Sequence, residues 1–311
     1  MKRLIVIIGP TAVGKTKLSI DLAKRLDTQI ISGDSMLVYR GLDIGTAKPD
    51  IVERSGIVHH LIDILEPQQE FNVVDFQQYA GKLINQINDE GRIPILAGGT
   101  GLYVRALLEG YQFNQAPSDE MLREKFAGLA KQHGNQYLHD LLERVQPETA
   151  ARLHPNDQRR IIRALEVHYL SGEAVSQDKI VANELLYNAI VIGLTMDRAA
   201  LYERINRRVD IMLEQGLLDE VTRLLQQGIS PECQAMKGIG YKEIAEHLLA
   251  GKELAITINQ LKQATRNFAK RQLTFFRRMP YITWYNVDEY ENYNILLESV
   301  YKQVAGKFSV R

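Results

Sequence analysis

Gly9-Pro10-Thr11-Ala12-Val13-Gly14-Lys15-Thr16 lies between an apolar run, Leu4 to Ile8, and a helical pattern, Lys15 to Leu26. These eight residues fit G-x-x-x-x-G-K-[ST] at every fixed position, in the strand-to-helix context that motif requires. The glycines let backbone N–H groups turn toward phosphate oxygens, and Lys15 supplies a cation. The Thr16 hydroxyl suits Mg²⁺, and the helix N-terminus adds a favourable dipole. A chance glycine turn would need neither the strand nor the helix. The stretch therefore reads as a cradle for a di- or triphosphate, with Gly9, Thr11, Ala12, Val13, Gly14, Lys15 and Thr16 as the binding residues.

Outward from the cradle, the first hundred residues alternate short apolar runs with helical patterns, as βα units on a parallel sheet do. Gln29 to Ser32 and Ile93 to Ala97 read as strands, Leu61 to Leu65 as a further short one, and Phe71 to Asp89 as a helix. From about Pro117 to Gly172 the pattern is helical without strands, with a turn at His154-Pro155-Asn156-Asp157. A strand returns at Ala189 to Leu194, helices follow, and Tyr281 to Tyr285 is a late strand. The expected fold is α/β: a P-loop NTPase-like parallel sheet flanked by helices, with a helical insertion domain. The expected division is a catalytic core of residues 1–115 and 190–311, ending in a basic helical region, and an insertion of residues 116–189.

Composition narrows the field without choosing a function. The chain has 311 residues, 45% hydrophobic and 24% charged, an ordinary globular mixture. Its 38 basic and 38 acidic residues balance, so a nucleic-acid surface must be local. One cysteine, Cys233, excludes an intramolecular disulfide framework and a multi-cysteine zinc site. The seven histidines show no H-E-x-x-H pattern, which leaves Mg²⁺ as the expected metal. The apolar run after Met1-Lys2-Arg3 stops at Gly9-Pro10, too short for a signal peptide, and no window approaches a membrane span. A cytoplasmic, monomeric chain with no membrane partner is expected.

The type of reaction follows from what surrounds the cradle. A nucleoside-triphosphate motor would show a second apolar strand ending in Asp. Here Ile93 to Ala97 ends in Gly98-Gly99-Thr100-Gly101, without an acid. The acid that follows a strand nearby is Asp34, in Ile30-Ile31-Ser32-Gly33-Asp34-Ser35. Ligands gather at the carboxyl ends of strands in a doubly wound sheet, so the P-loop, Asp34-Ser35 and Thr100 should share one rim. One carboxylate with several hydroxyls suits group transfer better than mechanical ATP hydrolysis. From the residues alone, Asp34 reads equally as a helix cap, an outer partner of Mg²⁺ or a catalytic group. Thr100 reads as a turn hydroxyl after two glycines.

Several segments carry a family resemblance. The P-loop is followed by Ser32-Gly33-Asp34-Ser35, Asp43-Ile44-Gly45-Thr46-Ala47-Lys48-Pro49 and Gly98-Gly99-Thr100-Gly101-Leu102-Tyr103. Then come His154-Pro155-Asn156-Asp157, Arg163-Ala164-Leu165-Glu166-Val167 and Arg207-Arg208-Val209-Asp210. Gly238-Ile239-Gly240-Tyr241-Lys242 and Lys270-Arg271-Gln272 complete the series. In this order, over nearly the whole chain, they resemble the tRNA dimethylallyltransferases. The P-loop is generic, whereas the Asp43 to Pro49 and Arg163 to Val167 segments are far more specific.

The resemblance implies transfer of a dimethylallyl group from its diphosphate to N6 of the adenosine 3′ of the anticodon. The cradle would then hold dimethylallyl diphosphate, with Lys15, Thr16 and Mg²⁺ stabilising the departing diphosphate. Asp34 would accept a proton from N6 or orient it, with Thr100 near the reacting groups. Arg204, Arg207 and Arg208 read on their own as a solvated helix face; the resemblance brings Arg208 to the diphosphate. It also makes this the compact bacterial form, because Cys233 alone cannot build the C-terminal zinc module of many eukaryotic members.

The tRNA anticodon stem-loop is the expected partner. No acidic residue occurs between Glu253 and Asp288, a stretch holding Lys262, Arg266, Lys270, Arg271, Arg277 and Arg278. Residues 262, 266 and 270 form a basic stripe on a helix, with Phe268, Phe275 and Phe276 on a core face. Such a stripe suits binding to phosphates. With the resemblance, the tRNA-binding set takes in Asp34, Ser35, Met36, Leu37 and Thr100 around the base. It adds Arg123, Gln158, Arg159, Arg160, Ile161 and Ile162 in the insertion. Lys237, Gly240, Tyr241, Lys242, Lys270, Arg271 and Arg277 complete it. The segment Gly238 to Lys242 offers a flexible backbone, an aromatic stacking group and a cation, as a splayed-out nucleotide requires. Three rival readings share the cradle: a small-molecule or nucleotide kinase, an adenylate (AMP) isopentenyltransferase, and a non-enzymatic RNA-binding protein.

Overall fold

The computed structural model describes residues 1–113, 119–172, 174, 177–179 and 184–309. They divide into two compact units, Met1–Leu108 with Glu184–Arg311, and Glu109–Asn183. The expected boundary at 115/116 lies outside the described residues.

The first unit is built on six parallel strands. In chain order they are β1 (Arg3–Ile8), β2 (Ile30–Ser32), β3 (His59–His60), β4 (Ile95–Gly98), β7 (Asn188–Thr195) and β8 (Ile282–Asn286). Across the sheet the order is β3-β2-β4-β1-β7-β8, every neighbouring pair parallel. The continuous apolar run Leu4 to Ile8 suits the interior of a sheet covered on both faces. Its side chains alternate between two cores: Leu4, Val6 and Ile8 enter one, Ile5 and Ile7 the other. The first core is closed by α3 (Val73–Asp89), α4 (Gly101–Glu109), α10 (Leu217–Gln226) and α11 (Tyr241–Ala250). The second is closed by α1 (Lys15–Leu26), α9 (Arg198–Glu214) and α13 (Tyr293–Phe308). The long α12 (Leu254–Phe276) gives Leu261 and Phe276 to the first core and Ala269 to the second.

The expected strand at Leu61 to Leu65 is replaced by His59–His60, the edge strand beside β2. Leu61 and Asp63 adopt left-handed φ values of 60° and 56°, which break the extended chain. Leu65 keeps an isolated parallel bridge to Tyr39. The short α2 (Ile51–Arg54) precedes this segment, capped by Asp50. Helix α3 starts two residues later than its apolar pattern, because the Asn72 side chain accepts from Val74 N and Asp75 N. Residues 188 and 189, expected in the insertion, are the first residues of β7.

In the second unit, α5 (Glu120–His133), α6 (Asn135–Val145), α7 (Pro147–Ala150) and α8 (Gln158–Ser171) close on Phe126, Leu138, Leu142, Ile161 and Leu165. Between Pro117 and Gly172 the described residues form helices and no strand, as expected. Strands β5 (Tyr111–Phe113) and β6 (Gln177–Lys179) pair antiparallel on either side of the helices. Three-residue strands carry too few alternations to show a period of two. No helix of the described residues is long and apolar enough to cross a membrane.

Candidate active site

The cradle loop leaves the end of β1 and enters α1 at Lys15, with Ala12 and Gly14 in left-handed conformation at φ 65° and 106°. Lys15 Nζ donates to the carbonyls of Gly9 (2.9 Å) and Pro10 (2.7 Å), folding the side chain over the loop. Although the residue as a whole is partly exposed, desolvation of the ammonium pushes its pKa down to about 8. The charge of Asp34 opposes that shift and the charge of Arg208 adds to it. Thr16 is exposed at the start of α1.

Asp34 follows β2, and its Oδ1 accepts from Met36 N at 2.9 Å. Desolvation raises its pKa, while backbone N–H groups of Met36 and Leu37 and the Lys15 charge hold it back. The loop after β4 supports this acid. Thr100 Oγ1 accepts from Ser35 N at 3.0 Å and donates to Ser35 Oγ at 3.3 Å. Thr100 N donates to Gly33 O at 3.2 Å. Cradle, acid and threonine thus meet at the carboxyl ends of β1, β2 and β4. Arg208 on α9 joins them: it is partly buried, burial lowers its pKa, and Glu53 on α2 opposes that shift. Its neighbours Arg204 and Arg207 are exposed.

Sequence reasoning missed the part played by Gln272. This α12 residue is 5% exposed; its Oε1 accepts from Thr11 N at 2.9 Å and its Nε2 donates to Gly99 O at 2.9 Å. The Thr11 amide, expected on the diphosphate, is therefore held by a side chain. The triplet Lys270-Arg271-Gln272 was visible, but nothing local distinguishes a buried glutamine from an exposed one on a polar helix.

Several residues expected on the tRNA are structural instead. Tyr241 is 0% exposed, and its hydroxyl donates to Glu220 Oε1 at 2.5 Å. Burial and the Glu220 charge raise its pKa, so the phenol stays protonated. A buried ring cannot stack on a nucleotide. The ring packs against Gly45, where a Cβ would come within 2.6 Å of it. Glu220 also accepts from the backbone N–H groups of Asp43 (3.1 Å), Ile44 (2.9 Å) and Gly45 (3.1 Å). Lys48, with a side chain 4% exposed, donates to Tyr39 O, Asp43 Oδ1 and Asp63 Oδ1. The Asp43 to Pro49 segment is a loop fastened from within. Gly240 is buried beside it at φ 100°. Lys237 and Lys242 remain exposed, and Met36 and Leu37 are partly exposed.

The basic stripe on α12 is divided. Lys262 Nζ pairs with Asp210 at 2.6 Å, and Arg266 Nη1 donates to Asn206 at 2.6 Å, both partners on α9. These two cations join one helix to another rather than forming a phosphate surface. Lys270, Arg271, Arg277 and Arg278 are exposed. Phe276 enters the core, Phe275 packs against it, and Phe268 lies under the Arg271 guanidinium at 5.8 Å.

In the second unit, Arg123 Nε pairs at 2.8 Å with Glu166, whose side chain is fully buried. Arg163 Nη1 (2.6 Å) and Asp119 N (2.8 Å) complete the carboxylate's partners. Burial alone would raise the Glu166 pKa, but these donors hold it below the usual range. Arg123 is thus tied to the fold. Ile161 is a core residue at 0% exposure, so its side chain is not presented to RNA, whereas Ile162 packs against that core and is partly exposed. Arg159 and Arg160 are exposed, Arg160 pairing with Asp157 at 3.1 Å, and Gln158 is partly exposed.

A P-loop on a parallel sheet, facing one desolvated carboxylate and no acid-terminated second strand, defines a P-loop enzyme of group transfer. Comparison with known proteins gives the family. The family model described as IPP transferase matches residues 37–279. A tRNA dimethylallyltransferase of Geobacillus thermodenitrificans is 47% identical over 307 residues, 98% of this chain and 97% of the relative. Its counterpart in Bacillus subtilis is 46% identical over 308 residues, 99% and 98% of the two chains. The crystal structure of the full-length tRNA isopentenylpyrophosphate transferase of Bacillus halodurans superposes with a TM-score of 0.75 at 45% identity, over 99% of this chain and 97% of that one. A eukaryotic dimethylallyltransferase acting on tRNA superposes with a TM-score of 0.75 at 28% identity, over 96% of this chain and 78% of that one. The chain belongs to the tRNA dimethylallyltransferase (IPP transferase) family. It is a prenyltransferase acting on tRNA.

Proposed function

We propose that this chain transfers the dimethylallyl group of dimethylallyl diphosphate to N6 of the adenosine 3′ of the tRNA anticodon, releasing diphosphate. The observation that carries the reading is that Asp34 and Lys15 stand at the carboxyl ends of β2 and β1, on either side of β4, with the Lys15 charge opposing the rise in the Asp34 pKa. A base for the acceptor and a cation for the leaving group then lie on one rim. In the transfer, the bond between C1 of the prenyl group and the diphosphate oxygen breaks, and the electron pair leaves with diphosphate. The N6–C1 bond forms, and the N6 proton passes to the Asp34 carboxylate. An adenine amino group is a poor nucleophile, so a desolvated base with a raised pKa suits the task. Lys15, Arg208 and the cradle amides stabilise the charge of the departing diphosphate. Thr100 holds Ser35, and through it the loop that carries Asp34.

Mg²⁺ fits these residues. It takes hard oxygen ligands, keeps several waters and uses substrate phosphates rather than an all-protein cage. The exposed Thr16 hydroxyl at the end of the cradle would hold it, and bound there it would supply charge neutralisation to the diphosphate.

Exposed Lys237, Lys242, Lys270, Arg271 and Arg277 in the first unit, with Arg159 and Arg160 in the second, are the cations proposed for the tRNA backbone. The target base must leave its stack to reach Asp34, at a cost of roughly a few kcal/mol offset by interactions in the pocket. The test is radiolabel transfer from dimethylallyl diphosphate to unmodified tRNA with Mg²⁺, run beside AMP and beside Asp34→Ala. Label in tRNA that disappears in the variant supports the reading. Label in AMP alone moves the activity to the free nucleotide, and ATP consumption without label makes the protein a kinase.

A further inference from the structure

We infer that Gln272 is a positioning residue that sets the separation between the diphosphate cradle and the loop that carries the acceptor side of the reaction. The role rests on the proposed transfer, in which donor and acceptor are held by different loops.

The cradle follows β1, Asp34 follows β2, and Thr100 follows β4. Three separate strand ends must therefore be held in one register for C1 to lie in line between diphosphate and N6. Thr100 already joins the β4 loop to the β2 loop through Ser35 and Gly33. The strand pairing of β1 with β4 ends at Ile8 and Gly98, and beyond it the Gln272 amide joins that pair of loops to the cradle. Its carbonyl oxygen takes the Thr11 N–H and its NH₂ gives to the Gly99 carbonyl, both at 2.9 Å. An amide is the side chain that can accept on one atom and donate on its neighbour with a fixed spacing. The reverse orientation would face donor to donor and acceptor to acceptor, so the link has one polarity.

Helix α12 packs closely on the loop it joins. A Cβ at Gly99 would come within 2.3 Å of Gln272 Nε2, with Lys15 Nζ at 3.8 Å. One turn further along α12, a Cβ at Gly101 would come within 2.4 Å of the Phe275 ring. The helix thus lies directly on the Gly98 to Gly101 loop, with Gln272 inserted between that loop and the cradle. Because the Thr11 amide is held by Gln272, the side chain also fixes the turn whose carbonyls, Gly9 and Pro10, receive Lys15. With both amide atoms engaged by the backbone of Thr11 and Gly99, Gln272 acts through Lys15 on one side and through Thr100 and Ser35 on the other.

A positioning role differs from a purely structural one in what it changes. A displacement of about 1 Å between reacting groups slows transfer by about a hundredfold without weakening the binding of either substrate in proportion. Gln272→Leu removes both hydrogen bonds at similar volume, and Gln272→Glu keeps the acceptor for Thr11 while losing the donor to Gly99. Each would be compared with the wild-type chain for single-turnover transfer at saturating dimethylallyl diphosphate and tRNA, for inhibition by inorganic diphosphate, and for tRNA affinity. Expected is a single-turnover rate lower by about a hundredfold in Gln272→Leu, with tRNA affinity unchanged. Should Gln272→Leu fail to fold, the isosteric Gln272→Glu carries the same test.

A cycle with Gly99→Ala supplies the specific readout. The added methyl should slow transfer in the wild-type background and have no further effect beside Gln272→Ala, which vacates the space. Independent effects that multiply to within about twofold would overturn the role, as would a Gln272→Leu variant with wild-type single-turnover rate. Loss of rate, tRNA affinity and diphosphate inhibition together, in parallel with the folded fraction, would also overturn it in favour of a structural role. Wild-type protein that labels no tRNA at all would instead overturn the transfer reaction itself.

Discussion

The hydroxyl of Tyr241 stands 2.5 Å from Glu220 Oε1, and the same carboxylate gathers the backbone N–H groups of Asp43, Ile44 and Gly45. Four donors on one buried acid make Glu220 the internal anchor of a loop that would otherwise leave its amides unsatisfied. The consequence for Tyr241 is a place in the protein core rather than on the RNA. Tyr241→Phe keeps the ring against Gly45 and removes one bond to a charged acceptor. It should lower stability by about 1.5–3 kcal/mol while leaving the salt dependence of tRNA binding unchanged. Denaturant unfolding, with an unaltered slope, and a salt titration of tRNA affinity check the two halves.

Asp34→Asn preserves shape and removes the base. Single-turnover transfer should fall by about 10²–10⁴-fold, with tRNA affinity little changed because the acid supplies proton transfer rather than grip. The same substitution removes the charge that supports Lys15, so the lysine should titrate lower still. Full tRNA binding without turnover is the expected pattern. Abolished binding with a retained single-turnover rate would contradict it.

The pH profile should have two limbs of opposite origin. Transfer needs Asp34 ionised, so the rate rises with pH through a value above the ordinary 3.8. It also needs Lys15 charged, so the grip on diphosphate weakens as pH rises past about 8. Inhibition by inorganic diphosphate, measured on both sides of the Lys15 value of about 8, should weaken only on the alkaline side. Calorimetry there should show proton uptake on binding, because the anion restores the Lys15 charge. The stability of the free chain follows the opposite sign. Between about 8 and the ordinary 10.5 the unfolded chain holds the Lys15 proton and the folded chain does not, so stability rises with pH in that window. For Asp34 the folded chain holds the extra proton, so its contribution falls as pH rises through the elevated value.

Cations that face solvent and cations tied to partners within the fold should separate in a salt titration. Lys270→Ala, Arg271→Ala and Arg277→Ala should each reduce the slope of log affinity against log salt by about 0.7–0.9 for every phosphate no longer neutralised. Lys262→Ala, Arg266→Ala and Arg123→Ala should leave the slope alone and lower thermal stability, because their partners are Asp210, Asn206 and the buried Glu166. A slope change in the second group would return those residues to the tRNA surface.

The amino-acid sequence by itself determined the cradle, the parallel sheet and the acid beside it. Gly9 to Thr16 is a contiguous motif whose geometry is local, and the runs Leu4 to Ile8 and Ala189 to Leu194 announce strands. Asp34 was legible because ligands collect at strand ends, and its strand could be read. The tertiary structure alone decided which polar residues turn inward. The stretch between Glu253 and Asp288 holds no acid, yet Lys262 finds one in Asp210, supplied by α9. Gln272 reaches Thr11 across 261 residues of sequence, and Tyr241 closes on a loop that begins near Asp43. Periodicity tells which side chains share a helix face. Which neighbour covers that face depends on packing between elements far apart in the chain, and that packing turns a cation into a strut, a tyrosine into a core residue and a glutamine into a link.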